Sequence, residues 1–297
     1  MVPSDNACMN YQPELPPTTT GLLHGVEHYE NFPVASVLCP PKLRPAVAAI
    51  YGFARTADDI ADEGDALPAA RLADLAAYRA DLEACATGQP VSPRWRPVFD
   101  ALSPMLLKWR LPLPLLTDLL SAFEQDVVKT RYASQTELLD YCRRSANPIG
   151  RLLLHLYDVQ DHASLLQSDC ICTALQLVNF WQDLSIDIPR GRLYLPADMA
   201  ARRHVQEPSL MARELSPATR ALVADSVEWA RSLMHRGAPL ARRVPGRAGW
   251  ELRFVVQGGL RIADRIEQGG YASITHRPKL GPHDVAIMGW HALWMRQ

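Results

Sequence analysis

The chain has 297 residues, of which 31 are Lys or Arg and 32 are Asp or Glu, so its formal net charge is −1. A chain so close to neutral lacks the basic excess of a general nucleic-acid-binding protein. Hydrophobic residues make up 48% of the chain, which is too apolar for a disordered protein. No apolar run reaches the roughly 18 residues that a membrane-spanning helix needs. We therefore expect a globular protein with a sizeable core and no nucleic-acid partner.

The amino-terminal residues and the cysteines both indicate a cytoplasmic protein. Residues 1–20 contain four prolines and no Lys or Arg, whereas a secretory signal needs a basic start and a continuous apolar segment. The six cysteines lack C-x-x-C spacing, which is typical of reduced thiols rather than of a metal site. We predict a disordered or extended tail over residues 1–20 and one all-α domain over residues 21–297.

Helical spacing of apolar residues extends over most of the chain, whereas the alternating runs typical of strands are nearly absent. Prolines fall where several of the periodic segments begin, and a missing N–H costs least at a helix start. A Pro- and Gly-containing segment at 189–196 predicts a loop. The predicted helices span 42–63, 68–87, 95–108, 112–130, 135–146, 148–158, 162–187, 209–242, 247–268 and 282–295.

The predicted helix 42–63 carries two carboxylates on one face. Asp58 and Asp62 are four residues apart, and Arg55 and Tyr51 extend the same face toward the amino terminus. Apolar residues lie between and before these acids, and the segment 50–63 contains no Lys. A solvated helix would normally intersperse lysines here, so this face is expected to border an apolar interior.

A second acidic face lies near the end of the predicted helix 162–187. Asn179, Asp183 and Asp187 follow one another at four-residue steps and are flanked by apolar residues. One such face alone is more typical of a solvated helix or an ion-pair partner, but two of them beside apolar residues favour a functional site. Carboxylates converging on an apolar cavity repel one another unless cations balance them. Since Mg²⁺ binds through a few carboxylates plus substrate phosphates, we predict a diphosphate held by Mg²⁺ at the mouth of an apolar pocket.

These residues resemble the squalene/phytoene synthase family of all-α isoprenoid synthases. The likeness covers roughly residues 25 to 280 and implies a helical bundle around a deep central cavity. The two aspartate-rich motifs of the family and the loop after the second one are matched by Tyr51-x-x-x-Arg55-x-x-Asp58-Asp59-x-x-Asp62, by Gln176-x-x-Asn179-x-x-x-Asp183-x-x-x-Asp187 and by Gly191-Arg192-x-Tyr194-Leu195-Pro196.

The resemblance also implies roles for individual residues. The residues expected to hold Mg²⁺, or Mn²⁺ as a substitute, together with the diphosphate are Asp58, Asp62, Asn179, Asp183 and Asp187. Arg55 and Tyr51 are expected to contact the diphosphate and, with the four aspartates, to be catalytic. Further substrate contacts are expected from His28, Phe32, Asp59, Tyr141, Asn147, Gln176, Gln182, Arg192 and Tyr194. For Asn147, which precedes Pro148, the other interpretation is a cap at a helix break, and this is the more common role.

Within the family, residues 28–36, 53–65 and 141–151 are most similar to the bacterial hydroxysqualene synthases of the hopanoid pathway. That likeness implies ionisation of presqualene diphosphate and capture of the cation by water, without NADPH. Gln182 stands where many family members carry Arg, which favours this reaction over head-to-head condensation of farnesyl diphosphate into presqualene diphosphate, squalene or phytoene. A helical assembly protein without activity is the third alternative, and the intact acidic motifs disfavour it. Enzymes before and after this step are the expected pathway partners.

Two sets of aromatic residues leave alternatives open. Aromatic rings can stabilise a carbocation, but each candidate is more often a core residue; the candidates are Tyr51, Phe53, Tyr141, Phe180 and Trp181. Near the carboxyl terminus, Trp290 and Trp294 lie four residues apart in an apolar segment. Packing on the helical body is one interpretation of this segment. The other is an interfacial helix that holds the protein peripherally on the inner membrane.

Overall fold

The structure, a computed structural model, describes residues 39–295, so the predicted tail and the predicted substrate contacts His28 and Phe32 lie outside the described residues. Residues 39–295 contain helices and one isolated bridge between Arg131 and Leu193, but no β-strand, which confirms the all-α prediction. The helices are α1 (Arg44–Asp62), α2 (Pro68–Ala86), α3 (Arg96–Trp109), α4 (Leu113–Val128), α5 (Gln135–Ser145), α6 (Asn147–Leu156), α7 (His162–Gln182), α8 (Leu184–Asp187), a 3₁₀ turn (Ile188–Arg190), α9 (Ala197–Arg202), α10 (Glu207–Met211), α11 (Pro217–Gly237), α12 (Leu240–Arg243), α13 (Gly246–Gln268) and α14 (Pro282–Leu293).

The predicted single helix 162–187 is wrong, because the chain leaves α-helical geometry at Asp183. This residue has φ −98° and ψ 10°, and it separates α7 from α8. The four-residue step nevertheless survives the break: the Asp183 amide donates to the carbonyl of Asn179, and the Asp187 amide donates to the carbonyl of Asp183, each at 2.9 Å. The three oxygen-bearing side chains of the second motif therefore still follow one another at turn spacing.

The predicted helix 209–242 is also wrong, since the structure divides this segment into α10, α11 and α12. The Ser216 side chain accepts a hydrogen bond from the amide of Thr219 and caps α11, and Pro217 occupies its first turn. Ala238 and Pro239 separate α11 from α12. The short helix α9, which follows Pro196, was not predicted, because six residues are too few to establish a period.

The buried apolar residues form two clusters on either side of the protein's main cavity. The first cluster comes mainly from α1 to α4 and includes Ile50 and Phe53. The second comes mainly from α5 to α13 and includes Leu175 and Val244. Residues of both clusters line the cavity, so the packing of the two halves sets its shape. In the described part of the chain, no helix combines the length and apolarity needed to cross a membrane.

Close packing of α11 against α7 requires glycine at position 237. A Cβ atom there would lie 2.5 Å from Cγ1 of Ile171 and 2.6 Å from the carbonyl oxygen of Gln167. We expect Gly237→Ala to lower the free energy of unfolding by about 1–3 kcal/mol, because backbone cannot move aside as a side chain can. In the control Gly52→Ala, within α1, the Cβ meets no described atom within 4 Å, so helix propensity should raise stability by about 0.5–1 kcal/mol. Urea unfolding of both variants checks this, and equal midpoints would contradict it.

Candidate active site

A cavity of about 390 Å³ is enclosed by α1, α4, α5, α6, α7, α12 and α13. Along α1 its lining changes from Val47 and Ile50 to Arg55 and Asp58. Along α7 the lining changes in the same way toward the carboxyl end, from apolar side chains to Gln176 and Asn179. The cavity therefore has one polar end, lined by Arg55, Asp58, Gln176 and Asn179 of the two motifs. The rest of the lining is mostly apolar, although it also includes Ser168 and Glu251.

Arg55 organises the first motif through ion pairs along its own helix. Its guanidinium lies 2.6 Å from a carboxylate oxygen of Asp59 and 3.4 Å from one of Asp58. The spacings i+4 and i+3 place these groups one turn away on the helix surface. Both carboxylates remain close to half exposed, and that of Asp58 lines the polar end of the cavity, where a ligand can reach it.

The second motif is held by a segment that follows α13. Arg277 forms an ion pair with the buried carboxylate of Asp183 through Nε, and its Nη2 lies 3.4 Å from the other oxygen. Next to it, Nε2 of Gln182 donates to the carbonyl of Pro278 at 2.8 Å. Arg277 therefore places a guanidinium beside the motif in which Gln182 replaces the Arg of many family members.

The two acidic faces lie within electrostatic reach of each other. Arg192, which follows the second motif, forms an ion pair with Asp62 of the first. Burial raises the pKa of Asp187 to about 7, and the nearby negative charges of Asp183 and Asp62 raise it further, against the opposing effect of Arg192. The motifs thus place more carboxylates than guanidinium groups around one space.

Asp126 of α4 is a carboxylate at this end of the cavity that the sequence analysis did not single out. Its Oδ2 accepts a hydrogen bond from the Tyr141 hydroxyl at 2.7 Å, and its buried Oδ1 has no hydrogen-bond partner within residues 39–295. Burial raises the pKa of Asp126 to about 7, the negative charges of Asp58 and Asp62 add to this rise, and Tyr141 and Arg192 oppose it. Nothing in its local sequence marks it, because its surroundings come from α1, α5 and the loop after α8.

The raised pKa of Asp126 predicts a pH-dependent stability. Between the pKa of about 3.9 in the unfolded chain and about 7 in the folded chain, the folded state holds a proton that the unfolded state has released. Wild-type stability should therefore fall as pH rises through this interval. Asp126→Asn retains an acceptor for Tyr141 but cannot ionise. Its urea midpoint should therefore rise relative to that of wild type as pH increases. Urea titrations at several pH values check this, and a difference independent of pH would contradict it.

Several predicted substrate contacts have other partners in the structure. Asn147 is buried, and its Oδ1 accepts from Oγ1 of Thr173 at 2.9 Å. The expectation that Asn147 caps a helix is wrong, because α6 begins at Asn147 itself without a side-chain cap. The ring of Tyr194 is buried and stacks on Phe180 at a centroid distance of 3.8 Å. Asn147, Gln182 and Tyr194 do not belong to the cavity lining, and their role in substrate binding stays a prediction.

The aromatic candidates divide into cavity residues and core residues. Tyr51 and Tyr141 line the cavity. Phe53 is fully buried against Tyr78, at 5.2 Å between ring centroids, and Trp181 is fully buried as well. Of the described candidates, the two tyrosines are therefore the ones whose rings can face a ligand in the cavity.

The chemistry of the donor set fits Mg²⁺ bound together with a diphosphate. Within residues 39–295, no three His, Cys, Asp or Glu side chains are already grouped closely enough to hold an ion by themselves. Mg²⁺ does not require such a cage, because it usually binds one or two carboxylates, several waters and the oxygens of a phosphate. Of the motif carboxylates, Asp58 lines the polar end of the cavity, whereas Asp62, Asp183 and Asp187 lie outside the lining. Arg55, Arg192 and Arg277 balance part of the charge of these carboxylates.

Comparisons with known proteins identify the family of the chain. Residues 26–284 match the model of the squalene/phytoene synthase family. A hydroxysqualene synthase from Zymomonas mobilis is 41% identical over 184 residues, which cover 60% of this chain and 59%, less than two thirds, of that protein. A hydroxysqualene synthase from Rhodopseudomonas palustris is 34% identical over 270 residues, covering 89% of this chain and 88% of that protein.

The solved structures include a squalene synthase, HpnC, from Alicyclobacillus acidocaldarius. It is 34% identical to this chain and superimposes with a TM-score of 0.75, covering 82% of this chain and 90% of that one. Phytoene synthases are also among the relatives. The family model matches most of the chain, and the solved structure shares its fold. The chain belongs to the squalene/phytoene synthase family, whose members act on prenyl diphosphates.

Proposed function

We propose that this chain is a hydroxysqualene synthase. In the proposed reaction, presqualene diphosphate loses its diphosphate and the cyclopropane ring of the resulting cation opens. Water then adds to the cation and loses a proton to give hydroxysqualene. The observation that carries the proposal is the cavity, which is lined at one end by Arg55 and Asp58 of the first motif and by Gln176 and Asn179 of the second, and mostly by apolar side chains elsewhere. A prenyl diphosphate has the same division into a charged head and an apolar chain. The names of the Zymomonas and Rhodopseudomonas relatives support the choice of reaction within the family.

The residues of the polar end would bind and orient the diphosphate. Asp58, Asp62, Asn179, Asp183 and Asp187 would hold Mg²⁺, which when bound neutralises the leaving diphosphate; Mn²⁺ would substitute. The guanidinium groups of the site would donate charge-assisted hydrogen bonds to the phosphate oxygens as the C–O bond breaks. These groups are Arg55, Arg192 and Arg277.

The apolar walls would control the fate of the cation. They exclude bulk water, so that a bound water rather than solvent adds to the allylic cation. The rings of Tyr51 and Tyr141 line the cavity, where their faces would stabilise positive charge on carbon. Addition of water requires no hydride, so the reaction should proceed without NADPH.

The alternative is a condensing enzyme that makes presqualene diphosphate, squalene or phytoene from prenyl diphosphates. The phytoene synthases among the relatives favour it at the level of the family. Within the second motif, Gln182 supports the first proposal, since a condensing enzyme binds two diphosphates and the motif lacks the Arg of many members. Arg277 supplies one guanidinium at Asp183, so the motif is not without a cation.

Supplying the two substrates separately tests the proposal. The purified chain is incubated with Mg²⁺ and without NADPH, once with presqualene diphosphate and once with farnesyl diphosphate. We expect hydroxysqualene from the first substrate and no thirty-carbon product from the second. Release of presqualene diphosphate or a hydrocarbon from farnesyl diphosphate, with no alcohol from presqualene diphosphate, would replace this proposal by the alternative.

The proposed substrate also indicates where in the cell the enzyme acts. A thirty-carbon substrate partitions into membranes, so we propose a cytoplasmic enzyme in peripheral contact with the inner membrane. Its pathway partners would be the enzyme that makes presqualene diphosphate and the enzyme that consumes hydroxysqualene.

A further inference from the structure

Large apolar side chains lie exposed on α13, on α14 and on the residue after α14. Between 37% and 61% of the surface of each is exposed. We call them the α13–α14 apolar face; its members are Trp250, Phe254, Val285, Trp290, Leu293 and Trp294. Exposed apolar residues that occur singly need no explanation, but a group of six with three tryptophans indicates an interaction surface.

Contacts between the two helices make these residues one surface. Phe254 of α13 lies against Gly289 of α14, where a Cβ would be 3.9 Å from its ring. Trp290 and Trp294 pack together at 5.6 Å between ring centroids. Arg253 lies over the ring of Trp250 at 4.5 Å. The face is therefore continuous across α13 and α14.

The surroundings of the face are strongly basic. Residues 236–261 contain six Arg and a single acidic residue, Glu251, although the whole chain is close to neutral. One of the six, Arg261, is paired with the buried Asp284 of α14 and does not add to the surface charge. Arg242, Arg243 and Arg247 are exposed beside the face, and Arg243 has Asp161 at 3.7 Å. Arg242 donates to the carbonyl of Met295 and so lies at the end of α14. Tryptophan next to arginine is typical of surfaces that meet the headgroups of a lipid bilayer.

The apolar face lies across α13 from the apolar end of the cavity. Ala248, Leu252 and Val255 line the cavity at helical spacing, together with Glu251, whereas Trp250 and Phe254 lie exposed on the same turns of α13. A single helix thus separates the surface from the part of the cavity that fits a prenyl chain. A bilayer on this face would bring a membrane-dissolved substrate next to that end of the cavity.

We propose that the α13–α14 apolar face docks on an anionic lipid bilayer, with the tryptophans at the interface and the neighbouring arginines on lipid phosphates. This inference rests on the proposed function, which includes contact with a membrane, and it names the surface that makes this contact. A second copy of the chain fits this surface less well, because a two-fold interface would bring the arginine groups against each other. Residues 1–38 contain four acidic residues and no Lys or Arg, so this segment is the alternative occupant of a basic face. The test therefore distinguishes this segment from a bilayer.

Vesicle sedimentation of the full chain tests the proposal. The vesicles are phosphatidylcholine alone or phosphatidylcholine mixed with phosphatidylglycerol, at low and at high salt. We expect binding to the anionic vesicles and a loss of at least about tenfold in partitioning for the double variant Trp290→Ser, Trp294→Ser. The double variant Arg242→Gln, Arg247→Gln should reduce binding at low salt and weaken its salt dependence. The control is Leu107→Ser on α3, which removes an apolar side chain that is even more exposed, at 75%, from a helix that contributes nothing to the face, and this variant should bind like wild type.

Three results would overturn the proposal. The first is unchanged sedimentation of the tryptophan variant. The second is a full chain that stays in the supernatant with anionic vesicles, whereas a chain without residues 1–38 sediments with them. That result would mean that residues 1–38 cover the face. The third is a dimer that the tryptophan variant converts to monomer without any vesicle binding. Turnover of detergent-dispersed presqualene diphosphate should be equal in wild type and the tryptophan variant, so a failure of the docking proposal is distinguishable from a failure of the proposed activity.

Discussion

Replacing Asp58 by Asn is expected to lower kcat/KM for presqualene diphosphate by at least about a thousandfold while the helical fold is retained, a loss of about 4 kcal/mol of transition-state stabilisation. Asp58 lines the polar end of the cavity and pairs with Arg55 at 3.4 Å. Its side chain is 45% exposed. Loss of so exposed an ion pair should cost less than about 1 kcal/mol of stability, so loss of activity cannot be attributed to unfolding.

The same experiment on the second motif shows whether both faces serve one step. Asp183→Asn should lower turnover to a similar extent, but because Asp183 is buried beside Arg277 this variant should also lose some stability. Circular dichroism and urea unfolding separate the two effects. In both variants the Mg²⁺ concentration for half-maximal rate should rise, and chelation of divalent cations should abolish wild-type turnover reversibly.

A carboxylate away from the cavity provides the control for both motif variants. Asp74 of α2 pairs with Arg94 through both oxygens, at 2.5 and 2.7 Å. Asp74→Asn removes a negative charge of the same kind and should leave turnover and the Mg²⁺ requirement unchanged. Near-normal activity in both motif variants would eliminate the proposed metal and diphosphate site.

The features predicted from the sequence are those that depend on neighbours in the chain. Asp58 and Arg55 are three residues apart, so helical geometry alone places them together. The four-residue steps of Asn179 and Asp183 are equally local, and they persist although α7 ends between them. Apolar periodicity likewise predicted most helices. That the two motifs serve one site was predicted from the resemblance to a family, because a local pattern gives no information about distant segments.

The features that the sequence did not reveal depend on distant contacts. Arg277 meets a carboxylate 94 residues earlier in the chain, and the segment around it has no helical or strand period. In the sequence, Asp126 is one of many polar residues near the end of a helix. Its raised pKa and its hydrogen bond arise only because Tyr141 of α5 and the loop after α8 pack beside it. The helix break at Asp183 has a similar origin, since both it and Gln182 bond to the segment after α13. Sequence periodicity reports burial, but it does not report which buried charges meet.

The largest expected effect on stability is at Asp284, which joins α14 to α13. Its carboxylate is fully buried and accepts hydrogen bonds from Nε of Arg261 at 2.6 Å, from Nη2 of Arg265 at 2.8 Å and from the amide of Gly281 at 2.7 Å. We expect Asp284→Ala to lower the free energy of unfolding by about 3 kcal/mol, because both guanidinium groups and the first turn of α14 lose their partner. Urea unfolding at neutral pH measures the loss, and hydrogen exchange should show it first in α14.

The pH dependence distinguishes this buried ion pair from a merely steric effect. The guanidinium groups of Arg265 and Arg261, with the Gly281 amide, hold the pKa of Asp284 well below its usual range, although burial opposes them. A carboxyl with a lowered pKa stabilises the fold above its unfolded pKa of about 3.9, and this stabilisation is lost as pH falls through the folded pKa. The difference between wild type and Asp284→Ala should therefore shrink below about pH 4. Asp225, which pairs with Arg203 at the surface, is the matched control, and Asp225→Ala should cost less than about 1 kcal/mol. Equal losses in the two variants, or a loss at Asp284 that does not change with pH, would mean that the guanidinium pair does not stabilise α14.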